Sequence, residues 1–172
     1  MSIAKLIEDK PESVLENINL NRGLLWERIN DFKSDLLSVK GAILHHTEEM
    51  EEAMPLKHHI KDGIYTREIF MPKGMLVLSF IHKTNHPSFF MSGDMSVITD
   101  TGEVKRIKAP MVVHTEIGTQ RIAYMHEDTV WVCTYRTDAT TVEEAEKEVY
   151  TEDFRELPKY VIDKNKLLCQ EQ

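Results

Sequence analysis

The sequence predicts a mainly β protein: a small antiparallel β-barrel, or jelly roll, with helices before it and a short helix after it. Three observations predict this. Up to about residue 54, apolar residues recur at helical spacing. From Ile64 to Arg136 they fall in short strand-like runs, separated by turn residues at roughly eight- to twelve-residue intervals. Beyond Arg136, Thr141-Val142-Glu143-Glu144 fits a capping box opening another helix through about Tyr150. The expected organisation is a helical extension over 1–54, a barrel over 55–150 and a tail over 151–172.

In the extension, Leu25, Ile29, Phe32, Leu36 and Val39 alternate in steps of four and three, which places them on one helix face. Leu24 and Leu37 widen that stripe, and Gly41 after Lys40 is a suitable stop. Pro11, following Asp9, suits the first turn of an earlier helix with Val14, Leu15 and Ile18 on its apolar side. Thr47 can cap a short acidic helix, Glu48 to Ala53, which must end before Pro55. These apolar faces are expected to pack on the barrel or on a second subunit.

The strand series begins with Ile64–Phe70, followed by the turn residues Pro72-Lys73-Gly74. Met75 to His82 is apolar on both faces, as expected of an interior strand. Phe89-Phe90-Met91 leads to Gly93, and Met95–Thr99 forms a short strand before the hairpin chemistry of Asp100-Thr101-Gly102-Glu103. Val104–Lys108, Met111–Thr115, Arg121–Met125 and Thr129–Tyr135 complete the set.

Composition narrows the partners. The formal net charge of −8 argues against a general nucleic-acid or anionic-membrane binder, since both require clustered Lys and Arg. The run Lys105-Arg106-Ile107-Lys108 alternates as a strand would, and reads as a solvated face. The first ten residues lack the uninterrupted apolar stretch of a signal peptide. Of the two cysteines, Cys133 lies in a strand-like run and Cys169 near the end, at no metal or redox spacing. A reducing cytoplasmic setting is the default expectation.

Four of the eight histidines, His82, His86, His114 and His126, fall inside the β region. Neutral imidazoles converging inside a barrel can hold a divalent metal without the cost of burying a full charge. His82 has Phe80, Leu78 and Leu76 as same-parity neighbours and should share their side of the sheet. His86 shares that side only if its segment is extended, while Asn85 and Pro87 suit a loop equally well. Both could instead bond loop carbonyls at the barrel mouth. His114 could equally decorate a strand, and His126 could sit in a solvated turn with Glu127 and Asp128. Arg67 and Glu68 occupy opposite strand faces, so only one looks inward; an inward Arg67 would suit an anionic small molecule. Tyr65 and Tyr124 are candidate pocket residues or core. His45-His46 and His58-His59 read as exposed.

These positions resemble the cupin superfamily. Its first motif runs glycine, two histidines one residue apart, a glutamate and a closing glycine. With Gly93 as the closing glycine, the glutamate position falls on His86, the second histidine on His82 and the first on Phe80. Gly74 stands near the opening glycine, and Pro110 with His114 loosely matches the second motif. The signature is eroded at its ligands. Gly63–Glu68, His82–His86, Arg106–Pro110 and His126–Trp131 further resemble cupin-like proteins encoded by tailed bacteriophages and prophages. The resemblance implies a jelly roll, commonly dimeric; if the histidines hold one divalent metal ion (Fe, Mn, Ni or Zn), its expected ligands are His82, His86 and one of His114 or His126.

Three functions follow as expectations. The first is a small-ligand-binding protein, metal-dependent if the histidines converge. The second is a non-enzymatic virion component or oligomeric scaffold, with the Leu25–Val39 stripe as partner surface. The third is a protein sequestering an anionic metabolite on Arg67, Lys83 and Arg121.

Overall fold

Two antiparallel sheets form the body of the protein in the computed structural model, which describes residues 3–17, 25–43, 47–98 and 103–170. The N-terminal region carries α1 (Ile3–Asp9), a 3-10 turn at Pro11–Ser13, α2 (Val14–Asn17), α3 (Leu25–Ser38) and α4 (Glu48–Ala53). The strands follow as β1 (Leu56–Lys61), β2 (Ile64–Met71), β3 (Leu76–Leu78), β4 (Ile81–His82) and β5 (His86–Ser92). After them come β6 (Asp94–Ile98), β7 (Val104–Lys108), β8 (Met111–Thr115), β9 (Ile122–Met125) and β10 (Thr129–Arg136). The chain then forms α5 (Val142–Val149), β11 (Tyr150–Thr151) and α6 (Lys159–Gln170).

The larger sheet has the order β1-β2-β10-β5-β8 and the smaller β3-β9-β6-β7, with β11 and β4 as a separate pair. This is the expected mainly β jelly roll, built as two facing sheets. Alternation along β10 buries Thr129, Trp131, Cys133 and Tyr135 and leaves Val130, Val132 and Thr134 half-buried. Its partner β2 turns Tyr65, Ile69 and Met71 into the same interior. Phe90 and Trp131, with ring centroids 5.5 Å apart, meet Met95, Val97 and Met125 of the opposite sheet in one core. Each such buried side chain contributes roughly 1.5–3 kcal/mol.

The apolar stripe of α3 packs in cis. Ile29 and Phe32 join Val14, Leu15, Leu78, Ile98 and Ile122 in a second core that covers the outer face of the smaller sheet. Leu36 and Val39 of the same stripe pack against this core from its edge. Thr47 and Thr141 cap α4 and α5 as their spacing predicts, accepting from the amides of Met50 and Glu144. Gly41 takes φ +87° after α3.

Three expectations are corrected. β1 precedes the strand series read from Ile64; its Leu56, His58 and Ile60 alternate half-buried, and an Asp62-Gly63 turn joins it to β2. His58 is therefore half-buried rather than exposed, its Nδ1 2.8 Å from the Tyr65 hydroxyl. The run Met75–His82 is not one strand. Ser79 binds Arg121 through both its own amide and its hydroxyl (2.8 Å each), and the ladder breaks there. Lys105–Lys108 is the exposed strand face expected, and from it Arg106 grips Asp94 with two bonds (2.8 and 2.9 Å) while Lys108 lies 3.0 Å from it. These cations, Arg106 first, hold the Asp94 carboxyl down at about 2. The Asp100–Glu103 turn, Ile18, Leu24 and His45-His46 fall wholly or partly outside the described residues.

Gly93 joins β5 to β6 at φ +112°, and a Cβ there would lie 2.3 Å from Thr129 Oγ1 and 2.9 Å from the Asp128 carbonyl oxygen. Backbone cannot yield as a side-chain tip can. Gly93→Ala should lower unfolding free energy by about 2–4 kcal/mol in urea titration, combining left-handed strain with overpacking.

Candidate functional site

Between the two sheets lies a cavity of about 350 Å³. Six of the chain's nine methionines line it: Met50 and Met54 from the α4 segment, and Met71, Met95, Met111 and Met125 from strands. Its polar lining comes from Arg67, Ser79, His82, Lys105, His114, Arg121 and Tyr150. No aspartate or glutamate occurs among the described residues that line it.

Arg67 is the residue that parity left undecided, and it faces inward. Its partner in the ladder is Cys133, and both line the cavity. The guanidinium lies over the Tyr150 ring, 5.5 Å from its centroid. The nearest carboxylate oxygen recorded, Glu146 Oε1, stands 3.7 Å from Nε, and this buried Nε has no hydrogen-bond partner among the described residues. Helix α5 explains the arrangement. Its capped start directs Glu146 towards Arg67, and its end delivers Tyr150 into the pairing with His82. Arg121, just before β9, donates from Nη2 to Thr115 Oγ1 at 3.0 Å and stands 5.9 Å from the centre of Trp131. Lys83 belongs elsewhere: its ammonium donates to the Lys147 carbonyl and lies 3.9 Å from Glu156.

The four candidate histidines divide. His82 and His86 come together, ring centroids 4.7 Å apart, and both are buried. The strand break at Ser79 sends His82 and Phe80 into the cavity, whereas Leu78 packs under the N-terminal helices, opposite to the shared face expected from parity. His86 belongs to β5 and not to a loop. Its Nδ1 lies 3.0 Å from the Thr84 carbonyl oxygen, which only accepts, so Nδ1 carries the proton and the buried Nε2 presents a bare lone pair. His114 lies on β8, exposed, at the cavity rim. His126 is not among the described residues lining the cavity, and its Nε2 is 2.7 Å from Ser96 Oγ.

A cupin-type metal centre requires convergent ligands, and the residues present do not fit one. Among the described residues no group of three or more His, Cys, Asp or Glu side chains is placed to hold a metal ion. Neither His114 nor His126 completes such a group with the His82–His86 pair among the described residues.

Tyr65 and Tyr124 are not among the described residues lining the cavity. Tyr65 is fully buried and bonded to His58. Tyr124 packs against the second core, under the N-terminal helices. The tyrosine that does line it is Tyr150, whose hydroxyl is 2.5 Å from that of Tyr135 behind it; Tyr135 in turn is 3.4 Å from His82 Nδ1. Tyr135 shares the inward parity of Trp131 and Cys133, so periodicity could have found it. Tyr150 follows a helix on the surface of the sandwich, and no local signal assigns it inward.

The fold and site define a class: a mainly β jelly roll with an apolar, cation-bearing cavity between its sheets. No protein-family model matches the sequence, and no curated protein matches it. Similar solved structures are cupin-fold proteins. A Cupin_2 domain of an XRE family transcriptional regulator from Enterobacter cloacae is 18% identical over 51% of this chain and 99% of its own, with a TM-score of 0.41. Ectoine synthase from P. lautus is 14% identical over 62% of this chain and 86% of its own, with a TM-score of 0.46. An acetylacetone dioxygenase from Acinetobacter johnsonii is 16% identical over 48% of this chain, with a TM-score of 0.41, and this chain spans 59% of it. Among the described residues, no helix is long and apolar enough to cross a membrane.

Burial depresses both paired histidines below 6.5; His86, Arg121 and Arg67 further depress His82, and Arg121 further depresses His86. Burial also depresses His58 and His126. The folded protein thus keeps these rings neutral while the unfolded chain protonates near 6.5. Stability should be full above that pH and fall as pH drops towards the folded values, by up to about 1.4 kcal/mol per pH unit for the deeply buried His82 and by less for the more exposed rings, which solvent screens. Urea titrations between pH 8 and 5 should show this slope, and His82→Asn should flatten it. An unchanged slope in that variant would show that His82 is not held neutral.

Proposed function

We propose that the protein binds a small molecule inside the jelly roll, between its two sheets. The observation that carries this reading is the methionine-lined cavity of about 350 Å³. Native cores leave few voids larger than a water molecule. Were this one closed and dry, it would cost roughly 8 kcal/mol at the usual penalty per unit of cavity volume, as much as many domains have to spare. Its size falls within the usual range of ligand pockets, and a largely apolar lining with a few convergent polar groups is their ordinary composition. Unbranched thioether side chains adapt to the shape of what they enclose. The reading is one of binding and invokes no metal.

A second reading, self-association, is favoured by the bare outer face of the larger sheet. There Met91 and Val112 are 57% and 58% exposed, beside half-buried Phe89 and Val132. The smaller sheet's outer face is covered by the chain's own helices, so the occupant proposed for the larger one is a second copy. Light scattering should then give a dimer that Val112→Asp dissociates, and a monomeric wild type would remove this reading. Encoding by a tailed phage or prophage, and a host cytoplasmic or virion setting, are the corresponding readings of origin. They draw support from the sequence stretches that resemble such proteins.

The binding reading is tested with a neutral apolar fluorophore such as N-phenyl-1-naphthylamine. It should be taken up at one per chain. At a hundred times its dissociation constant it should add about 2.7 kcal/mol, raising the melting temperature by roughly 5–10 °C. Absence of both uptake and stabilisation, for this probe and for small neutral alcohols, would overturn the reading.

A further inference from the structure

We infer that the ligand is an organic anion, with an apolar body among the methionines and a carboxylate- or phosphate-class head on the guanidinium groups of Arg67 and Arg121. The inference rests on the small-molecule reading above and names its ligand class.

The sign of the lining is the first ground. The chain carries 29 acidic and 21 basic residues, yet the described lining holds Arg67, Lys105 and Arg121 and no carboxylate. Acidic residues outnumber basic ones in the chain and are missing where the cations gather. A cationic ligand would meet only like charge there. A sugar-like ligand would need many convergent donors and acceptors, and methionine supplies almost none.

The second ground is the state of Arg67. Buried polar groups are normally hydrogen-bonded, and one left without a partner calls for an explanation. Arg67 Nε is buried without one, and Glu146 at 3.7 Å attracts it but stands beyond hydrogen-bonding distance. Guanidinium cannot shed its charge to escape this situation. A carboxylate or phosphate oxygen reaching the group from the cavity would supply charge-assisted bonds.

Convergence is the third ground. Arg67 sits over Tyr150, whose ring centroid is 5.3 Å from that of His82. Arg121 is tied to Thr115 and leans on Trp131, another lining residue. Both positive charges act on His82 from within the same cavity. Lys105, exposed at the rim, extends the positive field outward.

The test uses the full chain with Trp26→Phe, which leaves Trp131 as the single tryptophan and a reporter on the cavity wall. Octanoate, octyl phosphate, 1-octanol and octylammonium are titrated by Trp131 fluorescence and by calorimetry. At least one of the two anions should bind about tenfold or more tighter than octanol, and octylammonium most weakly. The better anion identifies the head-group class. Arg67→Lys and Arg121→Lys retain the charge but lose the fork, and each should weaken the anion about fivefold or more while octanol is unaffected. Thermal melts establish that the variants are folded. Octanol or octylammonium binding as tightly as both anions would overturn the inference and leave the small-molecule reading standing. Failure of every probe to bind would overturn both. An anion preference undiminished in both variants would overturn the assignment to these arginines.

Discussion

The pairing register of β10 with β2 decides the sign of the charge inside this protein. In the observed register Cys133 lies opposite Arg67 and Val132 opposite Glu68. Cys133 and Arg67 share the interior face, whereas Val132 and Glu68 share the outer one. Side chains alternate with a period of two, so reversing the faces of β2 would put Glu68 in the cavity and Arg67 in solvent. That exchange is opposed by Tyr65, Ile69 and Met71, all buried on the same parity as Arg67. Burial of three large side chains therefore sets the register, and the register carries one guanidinium inside with them. The interior charge follows from apolar packing that has no electrostatic content of its own.

Once inside, Arg67 is held by aromatic and tyrosine neighbours. Tyr150 lies beneath it, Tyr150 meets Tyr135 through their hydroxyls, and Tyr135 reaches His82 and packs against His86. Burial raises the Tyr135 and Tyr150 hydroxyls far above the usual tyrosine range and depresses the two histidines. Neighbouring groups thus stay neutral while the arginine stays charged. The cavity gains one sign of charge without a compensating carboxylate among its described lining.

The resemblance to the cupin motif was incomplete at its ligand positions, and the geometry shows what stands there instead. Phe80 stands at one expected histidine and packs against Tyr150, with ring centroids 5.6 Å apart. His86 stands at the expected glutamate, with one nitrogen bound to a backbone carbonyl and the other buried. The positions persist as wall and core. Pro110 and His114 matched the second motif only loosely, and His114 lies on the rim; His126, a candidate third ligand, bonds Ser96 instead.

Periodicity, turn residues and capping boxes are local, and the sequence alone determined what local physics determines. It yielded the mainly β class, most strands from Ile64 to Tyr135, the α3 stripe and the caps at Thr47 and Thr141. It missed β1, whose histidines obscured the alternation of Leu56 and Ile60, and it could not foresee the break at Ser79, made by a bond to Arg121 forty-two residues away. Arg67 was legible as a candidate but not its direction. The cavity belongs to tertiary structure alone, because methionines from α4 and from strands of both sheets meet only when those elements pack. Tyr150 and Glu146 reach Arg67 only because α5 folds back onto the sandwich. Distance along the chain carries no record of which faces will meet, and that decision rests with long-range packing.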